Sequence, residues 1–267
     1  MVEERGVKEL IVVGQDTSDY GVDLDGRPRI ADLLTELGGV PGLRWIRLLY
    51  CHPRGVSQEL IHTIRDVPTV CNYLDMAIEH ADDQVLAHMN RGITQARLSQ
   101  TIDTLRHEIP GIALRTSIIV GFPGETEGAF ENLLRFIQQT RFERLGVFRY
   151  SHEEGSASFR YPDQIPEPIK QARYDRLMQL QQEIAAQVNQ QWLGRTLEVL
   201  IDEPDPSDAT VFLGRTYADC PEVDGIVYVR SSTPLRPGEL VRARITDTYE
   251  YDLVAEAVTP EPSVVSR

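Results

Sequence analysis

Cysteine is scarce in this sequence, and long apolar runs are absent. The 267 residues include three cysteines, Cys51, Cys71 and Cys220. An odd number at wide spacing argues against a disulfide framework and is typical of a reducing compartment. No apolar run reaches the roughly 18 residues that a transmembrane helix needs, and the charged start Met1–Arg5 does not resemble a secretory signal. We therefore expect a cytoplasmic protein with no membrane contact.

Positive charge is also in short supply. Lys and Arg total 27 against 41 Asp and Glu, which gives a formal net charge of −14. Nucleic-acid-binding proteins normally carry a basic surface, whereas an acidic surface attracts basic partners. Ribosomal proteins are one class of such partners, although many bacterial cytosolic proteins are equally acidic. The balance makes nucleic acid an unlikely partner.

Short apolar runs alternate with amphipathic segments over residues 1–150. The runs predict strands, and the segments between them predict helices. This alternation is typical of an α/β fold with parallel strands and crossover helices. Five strands are too few for a closed barrel of eight units, so we expect an incomplete barrel or an open sheet. The predicted strands are Leu10–Val13, Trp45–Tyr50, Tyr73–Ile78, Ala113–Val120 and Leu145–Tyr150, and the predicted helices are Ile30–Leu37, Ser57–Arg65, Thr94–Glu108 and Thr126–Gln139.

The pattern changes towards the C-terminus. Prolines at positions 162, 166 and 168 mark a boundary, and a long helix is predicted over about Glu167–Trp192. Short alternating runs after Gly194 predict a small all-β barrel. Its strands are predicted at Leu197–Ile201, Val211–Leu213, Ile226–Val229, Leu240–Ile245 and Leu253–Val258. The expected domains are therefore 1–160, a boundary and helix at 161–193, the β domain at 194–258, and a frayed tail at 259–267.

Polar and glycine residues follow the predicted strands, where α/β folds bind ligands. In Gly121–Thr126, two glycines and a proline tighten a strand-to-helix turn that Thr126 is placed to cap. Such glycines allow a ligand close to the backbone, although a purely structural turn has the same composition. The segment Gln15-Asp16-Thr17 offers acceptors for a ligand ammonium group, or is simply a polar loop.

Two further segments invite a chemical interpretation. Glu79-His80 is a possible acid/base pair, although a lone histidine is more often structural. Cys51-His52 resembles part of a metal site, but zinc and iron–sulfur sites need three or four clustered ligands. The other two cysteines lie far away in sequence, so we predict no metal site and leave the catalytic residues unassigned.

Taken together, several segments resemble the methylthiotransferase family of radical-SAM enzymes. The resemblance extends to about Val258, and the β domain resembles a TRAM domain. It implies a partial (β/α) radical-SAM barrel lacking its first strand, followed by the TRAM barrel. The segments are Gly14–Thr17 with Tyr20-Gly21, Trp45–Tyr50, Tyr73–Asp75, Met89–Arg91, Arg115-Thr116, Ile119–Thr126 and Tyr150–Ala157.

Two branches of the family compete. The tRNA-modifying MiaB branch usually has Asn at the position of Asp16 and an Arg-Pro-Gly-Thr stretch where this chain has Glu153–Ser156. Pro221–Gly225 also resembles the RimO branch, which methylthiolates the β-carbon of an aspartate on ribosomal protein S12 of the small subunit. Residues 194–258 hold six Arg and no Lys against 13 Asp and Glu, a balance of −7. Phosphate contacts depend on Lys and Arg, so this balance favours a basic protein as the substrate.

The resemblance implies S-adenosylmethionine and 4Fe-4S clusters as cofactors. The family's Cys-x3-Cys-x2-Cys loop is absent from this sequence, so we expect an N-terminally truncated enzyme that is inactive alone, or a cluster-less binding module. The family usually has Pro-Leu-Gln-His where this chain ends in Glu79-His80, which exchanges an amide donor for a charged acceptor. The implied contacts are Gln15 and Asp16 near the methionine part, Glu79 and His80 near the ribose, and Gly121, Phe122, Pro123, Gly124, Glu125, Tyr150 and Ser151 on the adenine side.

Overall fold

Five parallel strands form one sheet in the N-terminal part of the protein. The structure is a computed structural model and describes residues 2–258. Each strand pairs in parallel with the next one along the chain, in the order β1-β2-β3-β4-β5. The strands are β1 Glu9–Val12, β2 Trp45–Cys51, β3 Val70–Met76, β4 Ala113–Val120 and β5 Arg144–Arg149. The predicted α/β class and the incomplete parallel barrel are confirmed.

Helices connect these strands, and several of them begin at a capping side chain. The oxygens of Ser57, Thr94 and Thr126 accept hydrogen bonds from backbone amides in the first turns that follow. These residues therefore precede the helices that the sequence predicted to start on them. The helices are α1 Val2–Arg5, α2 Val22–Asp25, α3 Ile30–Gly38, α4 Gln58–Asp66, α5 Asp83–His88, α6 Gln95–Glu108, α7 Glu127–Thr140 and α8 Glu167–Asn189. Short 3-10 turns lie at Thr17–Asp19, Pro53–Gly55, Ala157–Arg160 and Gln190–Trp192.

The core of this part lies between the sheet and its crossover helices. Strand β3 is buried over almost its whole length, as expected for a parallel strand that is covered on both faces. Each long crossover helix turns one apolar stripe inwards, and the α7 stripe contains Phe130, Leu133 and Ile137. The apolar runs that predicted the strands are therefore the core itself.

The C-terminal part is a separate all-β unit. The chain divides into two compact units, the first ending at Ala185 and the second beginning at Ala186. In the second unit, five strands close a barrel in the order β10-β8-β7-β6-β9. They are β6 Thr196–Pro204, β7 Val211–Arg215, β8 Val227–Arg230, β9 Leu240–Thr248 and β10 Leu253–Ala257. The predicted all-β barrel is confirmed.

Two remaining expectations concern the helix and the tail. The long helix was predicted to continue to Trp192, whereas it ends at Asn189 and a 3-10 turn covers the last three residues. The tail predicted from Thr259 lies outside the described residues. Over residues 2–258, no helix is both long enough and apolar enough to cross a membrane.

A buried ion pair links β1 to β2. Arg47 Nε donates to Glu9 Oε1 at 2.8 Å, and the two side chains are 0% and 4% exposed. The guanidinium also lies over the Tyr73 ring, 4.5 Å from its centroid. Removing one partner of such a pair leaves an uncompensated buried charge.

We therefore expect Glu9→Ala to lower the free energy of unfolding by about 3–5 kcal/mol. Urea unfolding would measure this loss. The matched control is Asp66→Ala, which breaks an exposed pair with Arg65 and should have little effect. Replacing both buried partners, as Glu9→Leu with Arg47→Met, should recover much of the loss. Equal effects of Glu9→Ala and Asp66→Ala would contradict the assignment.

Candidate functional site

The candidate site lies at the carboxyl edge of the parallel sheet. Because the strands run in the same direction, the segments after Val12, Cys51, Met76, Val120 and Arg149 emerge at the same edge. Ligands in open α/β sheets bind at this edge. The residues proposed from the sequence lie in four of these five segments, and the segment after β2 was not among them.

Two non-glycine residues at this edge have left-handed backbone conformations. Tyr50, at the end of β2, has φ 55°, and Glu79, just after β3, has φ 66°. Asp75 supports the first of them, because its Oδ2 accepts from Tyr50 N at 3.2 Å and its Oδ1 lies 3.0 Å from Arg115 Nη1. Residues held in such conformations cost free energy and concentrate at functional sites.

The first loop is tied to the end of β2. Asp16 Oδ1 accepts from Ser18 N at 3.0 Å and from His52 N at 3.3 Å. Thr17 Oγ1 donates to Leu49 O at 2.7 Å. Gln15 precedes these hydrogen-bonded residues and is exposed. The loop is therefore fixed by Asp16 and Thr17, while Gln15 remains accessible to a ligand.

Glu79 and Arg91 place opposite charges at the edge. The Glu79 backbone is held against β4 through Ser117 O and Ile119 N, at 2.9 and 2.8 Å. Its side chain is half-buried, and this burial raises the pKa of the carboxyl, an effect that the nearby Arg91 opposes. Arg91 Nη2 donates to Ala77 O, while Arg91 Nε is buried without a hydrogen-bond partner among residues 2–258.

Arg54 and His52 lie near Arg91, which in turn faces Glu79. Burial and the positive charge of Arg54 lower the pKa of Arg91, and burial together with Arg91 lowers the pKa of His52. Within the described part of the chain, no carboxylate lies within 4 Å of the Arg54 or Arg91 side-chain nitrogens. Glu79 and Asp16 act on Arg91 without a direct ion pair, so the guanidinium groups at this sheet edge favour an anionic ligand group.

Sequence reasoning missed these basic residues. Arg91 belongs to a segment that carried the family resemblance, but it received no role. The reason is that α5, which returns the chain so that Arg91 reaches Ala77 O, was not predicted. The Asp82 cap of α5 was a usable signal, since its side chain accepts from Gln84 N at 3.0 Å.

His80 and Glu125 face into the protein. His80 Nδ1 accepts from Asp82 N at 3.0 Å, and its Nε2 lies 3.7 Å from Glu125 Oε1, too far for a hydrogen bond. Glu125 Oε2 accepts from Gly121 N and lies 3.4 Å from Arg173 Nη1. Both side chains are fully buried, so their contribution is to fix the shape of the turn that carries Gly121–Glu125.

The glycine turn is shaped by a neighbouring side chain. Gly121 has φ 76°, and a Cβ at this position would clash with Lys170 Cγ. Phe122 packs edge-on against Tyr150, with ring centroids 5.2 Å apart, and Pro123 is buried beside it. Gly124 has φ 82°. The sequence left open a ligand-binding or a structural turn, and the approach of Lys170 is the structural reason for the first glycine.

Tyr150 and Ser151 follow β5. Lys170 Nζ donates to Tyr150 O at 3.0 Å, and Tyr150 Oη donates to Ser158 Oγ at 2.9 Å. Ser151 is exposed, and its hydroxyl donates to Glu153. Ser151 therefore remains accessible at the edge, while the polar atoms of Tyr150 are already engaged by the protein.

The cysteines do not form a cluster site. Cys51 is buried, and burial, assisted by the charge of Asp16, raises the pKa of its thiol to about 12. A buried protonated thiol is a poor metal ligand. Cys71 and Cys220 are also buried, and residues 2–258 contain no group of three or more His, Cys, Asp or Glu that could hold a metal ion. These residues do not fit an iron–sulfur cluster.

Comparisons with known proteins agree with the two-part architecture. Residues 1–137 match the model of the radical SAM superfamily, and residues 193–258 match that of the TRAM domain. The ribosomal protein uS12 methylthiotransferase RimO of Desulforamulus reducens is 46% identical over 95% of this chain, and that of Clostridioides difficile is 44% identical over 96%. The chain spans 57% of the length of each of these relatives.

A solved structure supports the fold alone. The coproporphyrinogen III oxidase HemN from Escherichia coli aligns with a TM-score of 0.53 and 14% identity, covering 92% of this chain and 57% of that one. Together with the family matches, this likeness confirms the resemblance drawn from the motifs, in which a radical-SAM sheet precedes a TRAM domain.

The cysteine geometry generates one prediction. We expect anaerobic reconstitution with iron and sulfide to leave no stoichiometric 4Fe-4S cluster on this chain, because its three thiols are buried and apart. Iron counting and visible absorbance after desalting would measure the outcome. A variant in which all three cysteines are serine should give the same low iron content. A stoichiometric cluster on the wild-type chain would contradict the prediction.

The raised pKa of Glu79 generates a second prediction. When the pKa of a carboxyl is higher in the folded than in the unfolded state, the folded protein loses stability as pH rises from the unfolded to the folded pKa. Glu79→Gln removes this loss, so its stability relative to wild type should increase as pH rises above about 4 and then level off. Urea unfolding between about pH 4 and pH 8 would test this. Glu154→Gln, at an exposed position, is the control, and a pH-independent difference for Glu79→Gln would contradict the expectation.

Proposed function

Because the chain belongs to the radical SAM superfamily, we propose that its sheet edge binds S-adenosylmethionine as part of a methylthiotransferase that acts on an aspartate of ribosomal protein S12. The RimO relatives support this substrate by their names and by their 44–46% identity. The chain would supply the cofactor-binding edge and the TRAM barrel, and catalysis by this chain alone is not expected.

The meeting of acidic and basic groups at the sheet edge carries the proposal. The amino-acid part of S-adenosylmethionine has a carboxylate and an ammonium group, which need donors and acceptors respectively. Arg91 offers a half-buried guanidinium, and Gln15 and Asp16 offer acceptors across the loop. Glu79 would accept from ribose hydroxyls, as the resemblance implies. Charge-assisted hydrogen bonds of this kind fix orientation as well as affinity.

The adenine side would lie along the ends of β4 and β5. The Gly121–Glu125 turn and Tyr150-Ser151 follow these adjacent strands, and Tyr150 N donates to Val120 O at 2.9 Å. His80, Glu125 and Lys170 hold this surface from behind without facing the ligand. Their contribution to function would be orientation, which a positioned binding site converts into rate.

The cofactors supply the reactive chemistry in this superfamily, through S-adenosylmethionine acting together with an iron–sulfur cluster. The described residues provide no ligands for the cluster. What they provide is binding and orientation of the nucleoside and amino-acid groups. Affinity should therefore be low in this chain, since a cluster anchor for the amino-acid part is lacking.

A substitution of Arg91 tests the cofactor site. We expect the wild-type chain to bind S-adenosylmethionine more weakly than low-micromolar, and Arg91→Met to weaken binding by a further factor of about ten through loss of a charge-assisted contact. Equilibrium dialysis with radiolabelled cofactor suits this range. Arg135→Met on the exposed face of α7 is the control. Low-micromolar wild-type binding, or equal affinities for the two variants, would contradict the assignment.

The acidic barrel generates a prediction about the macromolecular partner. Residues 194–258 carry six Arg against 13 Asp and Glu, so they should attract a basic protein and repel a phosphate backbone. We expect the full 267-residue chain to capture purified ribosomal protein S12 at low salt and to release it as salt rises. A tRNA anticodon stem-loop is the competing ligand. Preferential capture of the stem-loop would contradict the protein substrate and favour the tRNA-modifying branch.

A further inference from the structure

The outer surface of the barrel carries a groove across β7, β8 and β10. Its volume is about 380 Å³, and Val211 and Val254 are its aliphatic lining residues. The neighbours of these valines, Phe212 and Leu253, point into the barrel core. Because side chains alternate along a strand, Val211 and Val254 face outwards. The groove is therefore distinct from the core and from the sheet edge in the other unit.

Two tyrosines form the walls of the groove. Tyr228 lies on β8 opposite Val254 and between the core residues Val227 and Val229, so its ring also faces outwards. Tyr249 follows β9, lines the same groove, and is 53% exposed. A half-buried and an exposed aromatic ring beside aliphatic side chains are typical of a binding surface.

Two carboxylates border the rings. Burial raises the pKa of Tyr228, and the nearby charges of Asp252 and Asp205 add to this effect. Backbone contacts fix both acids, since Asp205 Oδ1 accepts from Ser207 N at 2.7 Å and Asp252 Oδ1 accepts from Ile226 N at 2.9 Å. The carboxylates are thus held beside the aromatic walls before any ligand arrives.

One basic residue also lines the groove. Arg230 follows Tyr228 on the same face of β8. Hydrogen bonds from Thr210 and the charge of Arg230 lower the pKa of Asp208, so a third carboxylate offsets this guanidinium. The groove therefore remains acidic in balance, with Asp205 and Asp252 available to a cationic ligand.

A second acidic cavity adjoins the first. It has a volume of about 450 Å³ and is lined by Leu213 and Ile226, by Glu203, Glu222 and Asp224, and by the Asp202–Arg215 ion pair. Leu213 pairs with Tyr228 across β7 and β8, so the two cavities lie along the same pair of strands. An extended basic segment would meet acids along the length of this face.

We propose that the groove between Tyr228 and Tyr249 receives an arginine side chain from a basic polypeptide, with Asp205 and Asp252 as its carboxylate partners. The identity of that polypeptide rests on the proposed function, whereas the groove and its ligand chemistry do not. A planar guanidinium stacks on aromatic rings and bonds to carboxylates in a fork geometry that an ammonium group cannot match. The groove should therefore prefer arginine to lysine. A diffuse negative charge would attract both side chains equally.

The test compares labelled nona-arginine and nona-lysine peptides binding to the full chain by fluorescence anisotropy. We expect nona-arginine to bind more tightly, and the pair Asp205→Asn with Asp252→Asn to weaken it by about tenfold and to remove the preference. Asparagine keeps the Oδ1 atoms that accept the backbone hydrogen bonds. The control pair Glu59→Gln with Asp103→Asn also removes two charges, at exposed positions on α4 and α6 of the other unit, and should change affinity by less than about twofold.

The aromatic wall has its own pair of variants. Tyr249→Leu should weaken nona-arginine binding by about threefold. Tyr249→Phe should bind like the wild-type chain, because the ring face and not the hydroxyl contacts the guanidinium. Circular dichroism would confirm that each variant remains folded. Three outcomes would overturn the proposal. The wild-type chain fails to bind nona-arginine, it binds nona-lysine equally well, or the groove and control pairs weaken binding equally.

Two further outcomes separate this inference from the proposed function. If nona-arginine binding depends on the groove but ribosomal protein S12 is not captured, the arginine site is supported and the proposed partner is contradicted. If the groove variants capture ribosomal protein S12 as well as the wild-type chain does, the proposed partner is supported and the arginine site is overturned. Self-association of the chain that the groove variants abolish, measured by sedimentation, would assign the groove to a second copy and overturn the proposal as well.

Discussion

Two buried cations from α8 hold the ends of β4 and β5 in place. Lys170 and Arg173 are 4% and 6% exposed, and they reach Tyr150 O and Glu125 O at 3.0 Å each. Arg173 also faces the Glu125 carboxylate, which in turn binds the amide of Gly121. Buried charges of this kind are tolerated only when paired. The turn after β4 is consequently determined by a helix that begins 42 residues after Glu125 in the sequence.

This arrangement explains why the sequence predicted the sheet better than its edge. The strands are apolar runs such as Ala113–Val120, whose burial is dictated locally by composition. Helix starts were equally local, since Ser57, Thr94 and Thr126 cap the turns that follow them. The observed sheet order follows the chain order, as short crossovers favour. Fold class and strand count could therefore be predicted without coordinates.

The chemistry at the edge depends on contacts between distant residues, which no local pattern contains. Glu125 was expected beside a ligand, and the sequence did not show that its Oε2 accepts from Gly121 N and lies 3.4 Å from Arg173 Nη1. Arg91 received no role, because only the fold-back through α5 brings it beside Glu79. The left-handed conformation of Glu79 was equally invisible, since glutamate rarely adopts it. Spacing locates the edge, and tertiary pairing decides which side chains remain open to a ligand there.

The burial of all three thiols gives the protein a useful spectroscopic property. Cys51, Cys71 and Cys220 are each 4% exposed or less, and none of them forms a disulfide. Such thiols react slowly with air, with alkylating reagents and with iron. The folded chain should therefore contribute almost no thiolate-to-iron absorption of its own. Any brown colour that develops when a cysteine-bearing polypeptide is mixed with it would report the added segment, so this chain is a clean optical background for complementation in trans.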